Sequence, residues 1–286
     1  MVVIIWAQTR PGLATAPINP NWLMILCADD YGLSDDINQA ILELARGGKL
    51  SAVSCMVALE RCDAGSLAEL LVCQAGVDIG LHLCLTDESL PLSCCQDGRA
   101  TSPPLPSFGT VVRRALLGLT QPQEIARQTS AQYGLFVEKC GRKPNFIDGH
   151  LHLHQLPGIR EGLIQFVRTL PADGRPYIRN THVPWREVRR RRLPWMKHAL
   201  IGIFGARMFR QLRLAGIPTN QGFAGIYHFR DSSRYRVYLP RFAACLSNPN
   251  GILVAHPGHS DRWRAQEFAA LREFDPPPGA LNRFQH

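Results

Sequence analysis

The sequence predicts an α/β fold, and it favours a single (β/α) barrel over an open doubly wound sheet. Short apolar segments alternate with helical patterns along most of the 286 residues, which is typical of parallel strands covered by helices. Acidic and histidine residues follow several predicted strands at their carboxyl ends, where a (β/α) barrel gathers its active site. No phosphate-binding glycine motif follows the first predicted strand, which disfavours dinucleotide binding.

The first β-α unit is the most clearly marked. Apolar residues 25–28 predict a strand, and Ser34 precedes a helical pattern. Apolar residues recur at helical spacing from Ile37 to Ala45, and this helix ends at the glycine pair 47–48. The later predicted strands span residues 51–57, 77–83, 144–148, 176–179, 225–229 and 251–255, and the later predicted helices span 64–75, 122–141, 157–169 and 235–247.

We divide the chain into three parts. Residues 1–21 contain three prolines and no sustained hydrophobic period, which predicts a loose leader. Residues 22–262 form the barrel domain, with a polar, proline-rich lid loop at 86–107 and a basic insert at 182–216. Residues 263–286 form a C-terminal helix and tail.

The net charge of +9 comes mostly from one segment. Between His182 and Gly216 there are nine lysines and arginines against Glu187 alone, and nine minus one gives +8. Because the rest of the chain is nearly neutral, this is a local patch, and we expect no nucleic-acid partner. We hypothesise that Arg186–Arg213 includes a basic amphipathic helix that contacts an anionic membrane; the alternative is a solvated arginine face over a core-packed helix.

The cysteine count and the hydropathy indicate a cytoplasmic protein. The nine cysteines form an odd set with no Cys-x-x-Cys pair, which disfavours both disulfides and a structural zinc site. No apolar run reaches the length needed to span a bilayer, and the apolar residues 2–6 are too short for a secretory signal.

Two adjacent carboxylates, Asp29 and Asp30, follow the first predicted strand. At a frayed strand end both can face one cavity, where like charges require a cation or a shared proton. A metal site is one interpretation. The other is that the pair forms a turn and caps the next helix.

Histidines follow three later strands. His82 lies in an apolar strand; alone this favours a hydrogen-bonded core histidine over a ligand, and a second strand end that carries a histidine changes that balance. His150, His152 and His154 alternate with leucines, so an extended segment would place them on one face about 6.6 Å apart. That spacing predicts one metal ligand with neighbours in the substrate wall, and the alternative is a surface histidine tract.

Two further residues complete the candidate site. Asp148 precedes the histidine tract and is placed to orient one imidazole. His256 lies where a strand meets a proline-glycine turn, and we expect it at the barrel mouth, titrating near neutral pH; a structural turn histidine is the alternative. Together, one carboxylate and two imidazoles predict a divalent-metal site that activates water, with the second carboxylate free as a base. Such a site suits amide or ester hydrolysis.

Four motifs in this order resemble the YdjC-like carbohydrate deacetylases, which include chitooligosaccharide deacetylases, over roughly residues 22 to 262. The motifs are Ala28-Asp29-Asp30-Tyr31-Gly32-Leu33-Ser34, Gly80-Leu81-His82-Leu83-Cys84-Leu85-Thr86, Asp148-Gly149-His150-Leu151-His152-Leu153-His154 and Val254-Ala255-His256-Pro257-Gly258. The resemblance implies a distorted TIM-like barrel that removes acetyl groups from N-acetylated sugars with one divalent metal ion, Mg²⁺ or Zn²⁺.

The resemblance also implies a role for each motif residue. Asp30, His82 and His150 correspond to the metal ligands. Asp29 corresponds to the base, and His256 to the acid that protonates the leaving amine. Asp148, His152 and His154 are expected to support these ligands or to contact the substrate.

Other functions remain open at this point. Within enzymes, the alternative is a metal-dependent phosphoesterase whose arginines bind phosphate. From another class, the alternative is a basic membrane- or nucleic-acid-binding module with an inert barrel. We further expect an acetamido-sugar substrate, with a lipid-linked sugar as one hypothesis, and we include a homodimer among the expected states.

Overall fold

Seven parallel strands form one sheet in the computed structural model, which describes residues 23–73, 75–86, 105–183, 195–246 and 250–285, without the side chains of 195–201. The strands are β1 (Ile25–Tyr31), β2 (Ala52–Cys55), β3 (Asp78–Leu83), β4 (Phe146–Gly149), β5 (Tyr177–Ile178), β6 (Gly222–Ala224) and β7 (Gly251–Ala255). Their order in the sheet is β5-β4-β3-β2-β1-β7-β6, and every neighbouring pair is parallel. All carboxyl ends therefore meet at one edge.

The two outer strands of this sheet approach each other and curl it into a barrel. A parallel bridge joins Ile178 of β5 to Thr219, three residues before β6. Beyond the bridge, the backbone N–H of Asn180 donates to the side-chain oxygen of Asn220 at 2.7 Å, and the Asn220 amide donates to the Asn180 carbonyl at 2.9 Å. The predicted distorted (β/α) barrel is confirmed.

Helices follow the strands and cover the outside of the barrel. They are α1 (Asp35–Arg46), α2 (Ala64–Val72), α3 (Phe108–Leu116), α4 (Pro122–Cys140), α5 (Ile159–Thr169), α6 (Trp195–Leu214), α7 (Tyr235–Ala243) and α8 (Arg262–Glu273). Helix α4 begins and ends at residues that mark helix ends in the sequence. Pro122 occupies its first turn, and Gly141, at φ 65°, ends it in the left-handed conformation that glycine adopts most easily.

Two predicted segments differ from the structure. The predicted strand 225–229 is wrong, because the strand lies three residues earlier and the chain turns at Gly225, whose φ is +109°. A Cβ at this position would come within 2.2 Å of the Val254 carbonyl oxygen, so the close approach requires glycine. The histidine tract does not remain extended: His150–Gln155 forms a short 3₁₀ helix directly after β4.

Alternate residues of the strands separate two cores. Ile25 and Cys27 of β1 face the barrel interior, where they pack among Phe146, Tyr177 and other apolar side chains. Leu26 and Ala28 belong to the larger core between the sheet and the helices. Because side chains alternate between the two faces of a strand, this pattern also sets the direction of the residues that follow Ala28 on β1.

Parts of three predictions lie outside the described residues: the leader at 1–21, residues 87–104 of the lid loop and residues 184–194 of the basic insert. In the part of the chain that the structure does describe, no helix has the length and hydropathy to cross a membrane. The described cysteines, seven in number, are free thiols.

The C-terminal tail packs across the amino ends of the strands. Leu281 pairs with Met24 next to β1, and Arg283 donates to Asp78 at 2.6 Å. The Phe284 ring stacks on Tyr177, with 4.0 Å between the ring centroids. The tail therefore closes the barrel end opposite to the carboxyl ends of the strands.

We expect Phe284→Ala to lower the free energy of unfolding by about 1–3 kcal/mol, because the variant loses apolar burial and the ring stack on Tyr177. Urea unfolding followed by circular dichroism measures this. Gln285→Ala is the control, because Gln285 pairs with Asn250 through its backbone. Equal stability of the two variants would show that the Phe284 ring adds nothing.

Candidate active site

Strand β1 delivers both aspartates to one cavity. Asp29 continues the inward series of Ile25 and Cys27, and it is almost fully buried. Asp30 would point outward by alternation, but its φ of 72° and an irregularity in the β1–β2 pairing between Ala28 and Tyr31 reverse its direction. Aspartate adopts this left-handed conformation more readily than most residues. Both carboxylates consequently line the same cavity.

Asp30, His82 and His150 form a cluster in which one donor atom of each lies within 4.8 Å of the others. Asp30 Oδ1 lies 3.1 Å from His150 Nδ1 and 3.4 Å from His82 Nε2. Its other oxygen accepts a hydrogen bond from Arg264 at 2.7 Å. The structure thus brings together the three residues that the resemblance implies as metal ligands.

Asp148 sets the tautomer of His82. The Nδ1–H of His82 donates to Asp148 Oδ1 at 2.6 Å, and the Ser54 hydroxyl donates to the same oxygen at 2.6 Å. The Nε2 lone pair of the neutral ring is then directed at Asp30, which is the usual arrangement of a metal-binding histidine. One carboxylate oxygen and two imidazole nitrogens match the donors of a zinc-like site, so the residues present fit a divalent metal ion.

The surrounding carboxylates also stabilise the protonated form of the His82 ring. Burial alone would lower the pKa of His82, but the negative charges of Asp148, Asp30 and Asp29 raise it to about 10. Cation binding at Nε2 requires the neutral ring, so it would displace a proton here.

We expect Asp148→Asn to weaken metal affinity by about 10–100-fold, because the His82 ring loses the carboxylate that orients it. Competition with a fluorescent chelator measures the affinity. Asp173→Asn, in an exposed loop, is the matched control. An unchanged affinity in Asp148→Asn would mean that this carboxylate does not support the metal site.

Asp29 is held by an arginine that the sequence analysis did not identify. Arg179 donates two hydrogen bonds to the Asp29 carboxylate, at 2.7 and 2.6 Å, and its Nη2 also lies 2.9 Å from Asp148 Oδ2. The guanidinium is completely buried. Burial would raise the pKa of Asp29, but Arg179 and the nearby imidazoles of His82 and His256 hold it below its usual range. The ion pair with Arg179 keeps this carboxylate ionised, and its role as the base stays a prediction.

His256 follows β7 and lies beside Asp29. Its Nε2 is 3.9 Å from Asp29 Oδ2, and its backbone N–H donates to Glu267 of α8 at 2.6 Å. Burial lowers the pKa of His256 to about 4. This pKa lies below the neutral range expected from the sequence, because desolvation disfavours the charged form of an imidazole that is 19% exposed. Burial also raises the pKa of Glu267, which further accepts a hydrogen bond from the Tyr227 hydroxyl, to about 7.

The other two histidines of the tract take different positions. The His152 ring lines the cavity and packs edge-on against Phe223, with 5.5 Å between centroids. His154 points away from the cavity, and its Nε2 lies 2.9 Å from the Arg179 carbonyl oxygen, so it positions the segment that carries Arg179. Burial lowers the pKa of His154 to about 4. The three histidines do not share a face.

This divergence depends on a strained turn. Leu151 and His152 have φ values of 54° and 58°, a left-handed conformation that costs a non-glycine residue about 1–2 kcal/mol. Gly149 permits it, because a Cβ there would lie 2.9 Å from the His154 side chain. The turn aims His150 at Asp30 while it buries His154.

The cavity has a volume of about 520 Å³, with a polar floor and an apolar rim. The floor contains the aspartates, His82, His150 and His256. On the rim, Phe229 stacks on Trp263 with 4.1 Å between centroids, and the Arg264 guanidinium lies 4.4 Å from the Trp263 ring centre. The arrangement places a cation site, an ionised carboxylate and an imidazole around one space, which suits hydrolysis of an uncharged acyl group.

Curated relatives agree with this chemistry. Chitooligosaccharide deacetylases from Enterobacter sp. (strain 638) and Yersinia enterocolitica are 35% and 33% identical over 145 and 137 residues, which cover 50% and 48% of this chain and 55% and 52% of those proteins. The chain thus spans about half the length of the curated relatives it matches.

The structural match and the family match cover more of the chain than these relatives do. A crystal structure of a candidate cellobiose-phosphate cleavage protein from Enterococcus faecalis V583 superposes with a TM-score of 0.66 over 92% of this chain and 97% of that one. At 14% identity, this likeness shows the fold alone. The family model described as YdjC-like protein matches residues 23–275, a span that includes all four site motifs. The chain belongs to the YdjC-like protein family.

Proposed function

We propose that this protein is a metal-dependent hydrolase that removes the acetyl group from an N-acetylated sugar. The observation that carries the proposal is the cluster of Asp30, His82 and His150 beside the ionised Asp29 in one cavity. The relatives named chitooligosaccharide deacetylase support a sugar as the substrate. Their names say nothing of a metal, so metal dependence rests on the donor atoms.

The donor set favours Zn²⁺ over Mg²⁺ as the ion. Two of the three donors are imidazoles, which zinc accepts readily, whereas magnesium prefers oxygen ligands throughout. A divalent cation bound by these residues would polarise the acetyl carbonyl and lower the pKa of a water molecule.

The remaining residues divide the proton transfers. Asp29 accepts the proton of the attacking water, and Arg179 fixes the orientation of its carboxylate. His256, whose Nε2 lies 3.9 Å from Asp29 Oδ2, receives that proton from Asp29 and gives it to the amine nitrogen as the C–N bond breaks. Asp148 holds His82 in the binding tautomer, His152 contacts the substrate from the cavity wall, and His154 supports the Arg179 segment.

The structure gives less support to a phosphoesterase. A phosphate would need unpaired cations, but the two arginines at the described site are already held by carboxylates. Arg179 pairs with Asp29 and Asp148, and Arg264 pairs with Asp30. The arginine run of the basic insert lies outside the described residues.

Three finer expectations remain predictions: contact of the Arg186–Arg213 segment with an anionic membrane, a lipid-linked sugar as the substrate, and a homodimer. Cosedimentation with anionic liposomes at low salt tests the first. Binding that survives neutralisation of the arginines at 189–192 would contradict it. A binding module with an inert barrel would, in the same assay, be unaffected by Asp30→Asn.

Acetate release tests the proposed reaction. The purified protein is treated with a chelator, restored with Zn²⁺ or Mg²⁺, and incubated with N-acetylglucosamine, di-N-acetylchitobiose and an aryl N-acetylglucosaminide. We expect acetate only after metal restoration, and more with Zn²⁺. If no acetate is released from any of the sugars although metal is shown to be bound, the proposed deacetylation is contradicted.

A further inference from the structure

Leu151 is an apolar side chain held at the mouth of the cavity in an unfavourable backbone conformation. It lies between His150 and the cavity-lining His152, and 43% of its surface is exposed. Its φ of 54° is in the left-handed region that leucine rarely adopts. The chain thus exposes a large hydrophobe at a position where the backbone is also strained.

The geometry of the turn alone does not account for leucine at this position. Both neighbours have defined partners: His150 faces Asp30, and His152 packs on Phe223. A turn that served only to orient these rings would be formed at lower cost by glycine or asparagine, which adopt the left-handed conformation more easily. Strain that persists beside a functional site points to a role of the side chain itself.

Other residues that line the cavity have the same apolar, exposed character. Phe108, at the start of α3, is 45% exposed and lines the cavity, and Phe229 is 40% exposed beside Trp263. The charged groups that line the cavity lie at its floor or, like Arg264, are paired with one of its carboxylates. When the acetamido group of a substrate lies at the floor, the rest of the substrate therefore contacts apolar side chains at the mouth.

We propose that Leu151 is a substrate-contact residue, which binds an apolar surface adjoining the acetamido sugar. Two sources have this chemistry: the C–H face of a neighbouring sugar ring, and an apolar aglycone such as an aryl group. The inference rests on the proposed function for the position of the acetamido group. It adds that Leu151 contributes to the affinity for the part of the substrate beyond the acetamido group.

Ligand binding tests the proposal without turnover. Isothermal titration is carried out in an Asp29→Asn background, with Leu151 retained or changed to asparagine, which tolerates the left-handed backbone. The ligands are N-acetylglucosamine, di-N-acetylchitobiose and an aryl N-acetylglucosaminide. Leu214→Asn, at an exposed leucine on α6, is the matched control.

We expect Leu151→Asn to raise the Kd of di-N-acetylchitobiose or of the aryl glycoside about 10-fold or more, with less than about 2-fold change for the monosaccharide. The ligand that responds identifies the source of the apolar surface. The melting temperature of Leu151→Asn should equal or exceed that of the parent, because the strain is relieved while no core contact is lost.

Three results would overturn the inference: equal Kd changes for all three ligands, a loss equal to that of Leu214→Asn, or no binding of any of these sugars by the parent. A fall in melting temperature would assign Leu151 a packing role instead. Acetate release by the unaltered protein is measured separately. Acetate production with no effect of Leu151→Asn on binding would leave the proposed function standing and refute the role of Leu151.

Discussion

Replacing Arg179 with methionine is expected to lower the free energy of unfolding by about 3–5 kcal/mol and to remove most of the activity. The guanidinium is fully buried between Asp29 and Asp148, so its loss leaves buried carboxylates without their cation. Urea unfolding gives the stability, and acetate release gives the activity. Arg46→Met is the control, because the exposed Arg46–Glu69 pair should contribute less than about 1 kcal/mol.

The same variant should change the dependence of stability on pH. The pKa of Asp29 is held below its usual range, so the ionised carboxylate stabilises the native protein above about pH 4, and this contribution is lost as the pH falls. Without Arg179, burial raises the pKa of Asp29, and the variant loses stability as the pH rises. The difference between the two proteins should therefore be larger at about pH 7 than at about pH 4. A difference that does not vary with pH would contradict the pairing.

Asp29→Asn is expected to retain the metal and to lose turnover by about 10²–10⁴-fold, the usual contribution of a general base. The reason is positional: of the two groups of donor atoms that could hold a cation, the one with Asp29 and Asp148 is paired with Arg179. The other is formed by Asp30, His82 and His150. Metal content by atomic emission and the rate of acetate release measure the two properties in the same sample.

Asp30→Asn provides the contrast. It keeps the left-handed backbone, which asparagine also tolerates, but its neutral amide should bind the cation far more weakly. We expect this variant to lose both metal and activity. Equal loss of metal in Asp29→Asn and Asp30→Asn would overturn the division of roles between the two aspartates.

Much of the barrel could be predicted because its signals are local. The helical spacing from Ile37 to Ala45, the proline at 122 and the glycine at 141 each act within a few residues, and the structure places α1 and α4 accordingly. The conformation of the histidine tract could not be predicted, because it depends on contacts that are distant in sequence. Its two left-handed residues are imposed by contacts of His152 and His154 with distant parts of the chain, which alternation of leucine and histidine does not reveal.

The site was predictable only in part. Asp30 and His82 lie near the carboxyl ends of β1 and β3, and His150 directly follows β4, positions that barrel topology makes informative. Arg179 also follows a strand, so its position in the sequence indicates a site residue in the same way. Arg264 carried no such signal, because it reaches Asp30 from α8, and its role depends on how that helix packs.

Strand β1 is fixed at both of its ends. At its amino end, Met24 exchanges backbone hydrogen bonds with Ala280 and Asn282 of the tail, and at its carboxyl end Arg179 and Arg264 grip its two aspartates. Partner strands on both sides complete the restraint. A strand held in this way has no freedom to slide along its axis, so the spacing between the two carboxylates is set before any ligand arrives. Adaptation to ligands of different shape is left to the side chains of the rim.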